Sequence, residues 1–131
     1  MLPEVDFATV AYQRGLDAKT SLRSGEFLFH EGDDADALYI VARGVLRIIS
    51  GSVVYETVRA GGIVGEMAVV DPGVPRSASV IAGTHAELIK VDASEFLRLV
   101  AAAPDFALMI MRVMSRRLRV MNQRYRPPAA R

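Results

Sequence analysis

From residue 18 to residue 91 the chain never runs far without a reversal, and this constrains its fold more than any other feature. Ala18–Leu22, Phe27–His30, Ala37–Ala42, Val45–Ile49, Val53–Arg59, Ser77–Ile81 and Ala86–Val91 are short β-branched or apolar runs, separated by Gly, Asp and Ser. Runs of this length bounded by turn residues predict strands rather than helices. Ser50-Gly51-Ser52 predicts a hairpin connection, and Arg43-Gly44 and Ala60-Gly61-Gly62 mark further reversals. The spacing suits a closed β-roll, and no internal repeat or low-complexity segment interrupts it.

The pattern changes after Val91. Asp92-Ala93-Ser94-Glu95 has the form of an N-cap with an acid three residues on, ahead of Phe96, Leu97, Leu99 and Val100, and predicts a short helix. Pro104 suits the first position of a second helix, with Asp105 beside it and apolar residues at Phe106, Ile110, Val113, Met114, Leu118 and Met121. Running to about Gln123, this helix would measure on the order of 28 Å, enough to cross the mouth of a small roll. Pro127-Pro128 should end it. Met109, Met111, Met114 and Met121 spread its apolar surface around the helix. Methionine adapts to irregular or changing contacts, so the helix either simply packs across the roll or sets one face on the roll or a ligand and another on a partner copy.

With 131 residues, 51% of them apolar, the chain is long enough to bury a core of its own, and a single domain is expected. It has no cysteine, which excludes disulfides, thiolate metal sites and cysteine nucleophiles together. Met1-Leu2-Pro3-Glu4-Val5-Asp6 carries acids and a proline where a secretory leader would carry a basic region and an apolar run. No apolar stretch of about 18 residues occurs, so no membrane span is expected and the location is expected to be cytoplasmic. Charge is divided unevenly: residues 1–100 hold nine Lys/Arg and fourteen Asp/Glu, net −5, whereas residues 101–131 hold seven Arg and one Asp, net +6. These terminal arginines read as a solvated helix face that complements the helix dipole. No helix-turn-helix, zinc-finger or RNA-binding aromatic pattern lies beside them, so direct nucleic-acid binding is not expected.

The chemistry concentrates between Gly65 and Val80, G-E-M-A-V-V-D-P-G-V-P-R-S-A-S-V. Gly65 lets the backbone approach a ligand closely, and Glu66 to Val70 predicts one helical turn whose free N–H groups face an anion. Arg76 offers a planar, permanently charged fork suited to a phosphodiester, and Ser77 a hydroxyl for the same oxygens. A carboxylate cannot bind phosphate, so Glu66 is read as the acceptor for sugar hydroxyls. Asp71-Pro72-Gly73-Val74-Pro75 is a turn-rich excursion that brings the two halves together. The alternative is a structural ion pair between Glu66 and Arg76.

This run resembles the phosphate-binding cassette of the cyclic nucleotide-binding domain: F-G-E-[LMI]-A, a short variable loop, then P-R-[STA]-A-[ST]-V. A second stretch, G-E-F-L-F-H-E-G-D-D-A-D-A-L-Y-I-V-A-R-G from Gly25 to Gly44, is similar to the family's G-E-x-[IL]-F-x-[EQ]-G-D-x-x-[DS]-x-[LM]-Y-x-[IV]-x-x-G. With the strands around them, the two motifs span residues 16–91. The expected fold is mainly β with flanking α: an eight-stranded, jelly-roll-like β-roll with a short N-terminal helix and two C-terminal helices. Residues 1–15 form the N-terminal helical segment, 16–91 the roll with its cassette at 65–80, 92–126 the C-terminal helices including a lid, and 127–131 a tail. The resemblance implies that Glu66 takes the ribose 2′-hydroxyl, Arg76 the cyclic phosphate, and the Ala68 N–H with Ser77 the remaining phosphate oxygens. Val64, Gly65, Met67 and Ala78 complete the candidate ligand-binding set; Val64 stands where the family usually carries phenylalanine, a change of packing rather than of contact. In the family the final helix folds over the base as a lid, and in several members it forms the dimer contact. Gln123, Arg124 and Tyr125 are the candidate lid contacts.

The remaining polar residues read as structural. His30 and His85 lie far apart with no matching carboxylate spacing. Asp33, Asp34 and Asp36 lack the twelve-residue calcium-loop pattern and read as a solvated turn. Ser21, Ser24, Ser50 and Ser52 have no nucleophile context. No residue set combines an activated nucleophile, a base and an oxyanion site, so binding rather than catalysis is expected, with neither metal nor cofactor. The leading reading is a regulatory module whose ligand is cAMP, signalling through movement of the C-terminal helix, with a homodimer through that helix as the partner. Ser77, with no threonine there, gives no sign of a cGMP preference, although cGMP stays open as ligand. The alternatives are a sensor cut from a larger DNA-binding regulator, kinase or channel, and a protein-interaction domain that has lost its ligand.

Overall fold

The computed structural model describes residues 6–124. Its elements follow in the order α1 (Phe7–Gln13), β1 (Thr20–Leu22), β2 (Phe27–Phe29), β3 (Ala37–Arg43), β4 (Val45–Ser50), β5 (Val53–Arg59), β6 (Ile63–Val64), α2 (Met67–Val70), β7 (Ser79–Ala82), β8 (Ala86–Asp92), α3 (Ala93–Ala102) and α4 (Asp105–Arg124). The strands form two four-stranded antiparallel sheets, ordered β1-β8-β3-β6 and β2-β7-β4-β5. The eight-stranded roll with its flanking helices is present, but the two sheets keep separate ladders where a closed barrel would join them.

Seven strands fall on the runs that turn chemistry predicts. The eighth, β6, is two residues long and pairs with β3 through Tyr39↔Val64 and Ile40↔Ile63, too short to leave a period in the sequence. Strand β7 begins at Ser79 rather than Ser77 because the preceding backbone is tied elsewhere. The Arg76 N–H donates to the Asp33 carbonyl at 2.8 Å and the Gly32 N–H to the Arg76 carbonyl at 2.8 Å. Gly44 makes the β3–β4 reversal at φ +89°, where a Cβ would overlap the His85 carbonyl oxygen.

Each face of the β1-β8-β3-β6 sheet buries a core. Alternation sends Leu38, Ile40, Ile89 and Val91 to one side, where they meet Phe7, Leu99, Phe106 and Ile110 of the helices. Val41, Ala86 and Leu88 point the other way and meet Leu46, Val58 and Val80 of the second sheet. Coverage on both faces explains why β3 reads as a nearly unbroken apolar run.

Helix α3 starts as its spacing predicts: Asp92 Oδ1 accepts from the Glu95 N–H at 2.8 Å. The reciprocal half of the capping box does not form, because the Glu95 carboxylate accepts from Arg98 at 2.6 Å instead. Helix α4 has 20 residues, about 30 Å at the standard rise, and buries Phe106, Ile110 and Val113. Phe106 is fully buried, with ring contacts to Phe7 at 5.4 Å and Phe96 at 6.1 Å.

Phe106 thus joins three helices, and Phe106→Ala should lower unfolding free energy by about 3–5 kcal/mol in chemical denaturation. Hydrogen bonds from the Glu95 N–H and the Ser94 hydroxyl hold the Asp92 carboxyl below the usual carboxylate range. A depressed native pKa gives stability that is complete above the unfolded carboxyl's range and is lost as pH falls through the native value. The Tm difference between the native protein and Asp92→Ala should therefore be widest at neutral pH and close on acidification, as thermal melts over a pH series would read.

Candidate functional site

The cassette is built by three short pieces of backbone. Gly65 leaves β6 at φ +74°, Glu66 to Val70 make one helical turn, and an exposed loop leads to Arg76. The positive φ at Gly65 serves a side chain of the protein itself: a Cβ there would lie 2.5 Å from Arg76 Nη1. The turn also closes on itself, since the Ala68 N–H donates to the Gly65 carbonyl at 3.2 Å and the Val69 N–H to the Glu66 carbonyl at 3.2 Å. The Ala68 N–H assigned above to a phosphate is therefore engaged within the turn.

Arg76 is a buried cation with neutral partners. Its Nη2 donates to the Ala37 carbonyl at 2.8 Å and its Nη1 to the Gly65 carbonyl at 3.3 Å, and its guanidinium carbon lies 3.9 Å from the centroid of the Phe29 ring. Its Nε is buried without a hydrogen-bond partner, and no carboxylate among the described residues lies at ion-pair distance. Burial pushes its pKa below the ordinary arginine value, against the opposing pull of Tyr39, Asp36, Asp33 and Glu66. A buried donor left unpaired costs free energy that an anion would recover.

Glu66, 6% exposed, does not pair with Arg76. Its Oε2 instead accepts from Arg117 Nη1 of α4 at 2.7 Å. Arg117 also donates from Nε and Nη2 to the two carboxylate oxygens of Glu56 on β5, at 3.0 and 3.2 Å, and from Nη2 to the Ile63 carbonyl at 2.6 Å. Burial works against the Arg117 charge, but the hydrogen bond to Glu56 and the charges of Glu66 and Glu56 outweigh it and hold the group above its ordinary value.

Together these elements enclose a cavity of about 740 Å³, within the range of small-molecule sites. Gly65, Glu66, Met67, Ala68, Arg76, Ser77 and Ala78 line it from the cassette. Ile48, Ser50, Tyr55 and Glu56 line it from β4 and β5, and Met111, Met114, Ser115, Arg117, Leu118, Val120 and Met121 from α4. Val64 is fully buried between the sheets and is not among the lining residues. Of the candidate lid contacts, Gln123 is exposed and does not line the cavity, Arg124 is the last residue of α4, and Tyr125 lies outside the described residues. Among the described residues no cluster of His, Asp and Glu gathers to hold a metal ion, and no helix is long and apolar enough to cross a membrane.

Arg117 and Glu56 are the functional residues that the sequence reading misses. The seven terminal arginines read as a solvated face, yet Phe106, Ile110, Val113 and Arg117 recur at intervals of four, three and four, which places Arg117 on the inward stripe. Glu56 carries no such signal, because its partner comes from an element 61 residues away. At Gly65, alanine would require the left-handed region and displace Arg76. Gly65→Ala should cost about 1–2 kcal/mol in stability, read by thermal or chemical unfolding.

A protein-family model described as the cyclic nucleotide-binding domain matches residues 19–103. The cAMP-activated global transcriptional regulator CRP of Salmonella typhimurium is 26% identical over 102 residues, covering 74% of this chain and 49% of that protein. The cyclic AMP receptor protein of Thermus thermophilus is 32% identical over 121 residues, covering 88% of this chain and 53% of that protein. The chain thus spans about half the length of these curated relatives. Among solved structures, cAMP-bound PfPKA-R (141-441) is similar with a TM-score of 0.69 and 25% identity, over 79% of this chain and 36% of that one.

Proposed function

Because the chain belongs to the cyclic nucleotide-binding domain family, we propose that it binds cAMP in the cavity beneath α4 and signals through that helix. The observation that carries this reading is Arg76: a buried cation on the cavity wall, with an unpartnered Nε and, among the described residues, no carboxylate at ion-pair distance. A phosphodiester supplies the missing anion, with the Ser77 hydroxyl, exposed on the same wall, as a second donor. Glu66 takes a sugar hydroxyl on the carboxylate that Arg117 Nη1 also holds. The base meets an apolar surface made by Ile48, Val80, Met111, Met114 and Met121.

The regulator CRP of Salmonella typhimurium, the receptor protein of Thermus thermophilus and PfPKA-R are each named for cAMP, which supports the choice of nucleotide. Signalling follows from the shared wall. A ligand that touches the cassette and α4 together shifts the helix by as much as its affinities for two helix positions differ. Leu108 is exposed on α4 and does not line the cavity, which supports pairing of this helix with a second copy.

Titration calorimetry with cAMP and cGMP tests the reading. cAMP should bind the native protein, and Arg76→Ala should weaken it by more than about tenfold, because a charge-assisted hydrogen bond contributes roughly 1.5–3 kcal/mol. Unchanged affinity in that variant would remove the phosphate assignment. The sugar assignment fails if 2′-deoxy-cAMP binds the native protein as tightly as cAMP.

A further inference from the structure

We infer that Glu56 is a positioning residue for the ligand sugar: it holds Arg117 on a second carboxylate, so that Glu66 can take a hydroxyl without leaving a half-buried cation unpaired. This rests on the reading of the site given above.

Arg117 presents two edges. The Nε and Nη2 edge meets both oxygens of Glu56 at 3.0 and 3.2 Å, while Nη1 alone reaches Glu66 at 2.7 Å. The bidentate contact is the geometrically stronger of the two, and the Ile63 carbonyl at 2.6 Å fixes the same edge. Glu66 is therefore the exchangeable partner. The Arg117 side chain is 16% exposed and that of Glu66 8%, whereas that of Glu56 is 37% exposed at the edge of the cavity. Deep in the cavity a sugar hydroxyl competes with Arg117 for Glu66. At the edge Glu56 keeps the cation paired whichever way that competition goes.

Without the Glu56 charge, Glu66 becomes the only anion at ion-pair distance from Arg117 among the described residues. A ligand hydroxyl then meets a carboxylate already committed to a cation that has no second anion to turn to. The consequence is confined to ligands bearing that hydroxyl, which separates positioning from a general effect on the pocket.

The test is titration calorimetry of cAMP and 2′-deoxy-cAMP on the full chain as native protein, Glu56→Gln, Arg117→Gln and the double variant. Glutamine keeps the shape of Glu56 and removes only its charge. Glu56→Gln should weaken cAMP by about tenfold while moving 2′-deoxy-cAMP by less than about twofold, as expected when one charge-assisted contact is lost. Adding Glu56→Gln to Arg117→Gln should cost nothing further, because no cation then competes for Glu66. Equal weakening of both nucleotides, an unmoved cAMP affinity in Glu56→Gln, or the same loss in the Arg117→Gln background would each overturn the role. A native protein that binds neither nucleotide overturns the reading of the site and this role with it. Native binding with an unaltered Glu56→Gln variant overturns the Glu56 role alone.

Discussion

The Arg117 guanidinium fixes how α4 sits over the cavity, and the shape of the site depends on it. Removing a guanidinium from water is costly, and attraction to a partner offsets that cost only when geometry is good and the remaining donors are satisfied. Here four hydrogen bonds run to Glu56, Glu66 and the Ile63 carbonyl, contributed by three separate points of the roll. A cation that must meet three partners at once has one acceptable position. The methionines around it would accept several, since an unbranched thioether repacks easily. The polar contact therefore sets the register that the apolar contacts leave loose.

The two halves of α4 are held by different physics. Phe106, Ile110 and Val113 sit in the core on the outer face of the β1-β8-β3-β6 sheet, beside Phe7 and Leu99. Beyond Val113 the side chains facing the roll line a cavity, and Leu118 and Met121 remain more than half exposed. Segments with fewer buried apolar contacts open at lower free energy than the core beside them. The helix is thus anchored at its start by packing and tethered further along by charge, with the cavity under the tethered part.

Most of the fold was legible because turn chemistry is local. Gly44 and the Gly51-Ser52 turn mark reversals from the residues themselves, and the Asp92 cap announces α3. β6 escaped because two residues carry no period and its pairing with Tyr39 and Ile40 is tertiary. In the site, Glu66 and Arg76 were legible from residue type and spacing, but their partners were not. Arg76 turns toward two backbone carbonyls and Glu66 toward α4, choices decided by elements 39 and 51 residues distant. Arg117 was hidden by its composition, since an arginine among arginines reads as solvent-facing. Its place on the Phe106, Ile110, Val113 stripe was the better guide.

The contrast between the buried Arg76 and the half-buried Arg117 orients the proposed ligand. Arg117 is matched by two carboxylates, whereas Arg76 has carbonyls, an aromatic face and an unpaired Nε. An incoming phosphodiester gains little from a cation already neutralised and much from one that is not, so its charge goes to Arg76. The sugar then lies toward Glu66 and the base toward the methionines of α4. Glu66 is where the proposed ligand and the helix draw on the same carboxylate. Two processes sharing one carboxylate are coupled reciprocally, and such coupling is typically about 1–3 kcal/mol. In the proposed complex the helix position and the sugar contact would report on each other through Glu66, while the phosphate contact at Arg76 would supply affinity independent of that exchange.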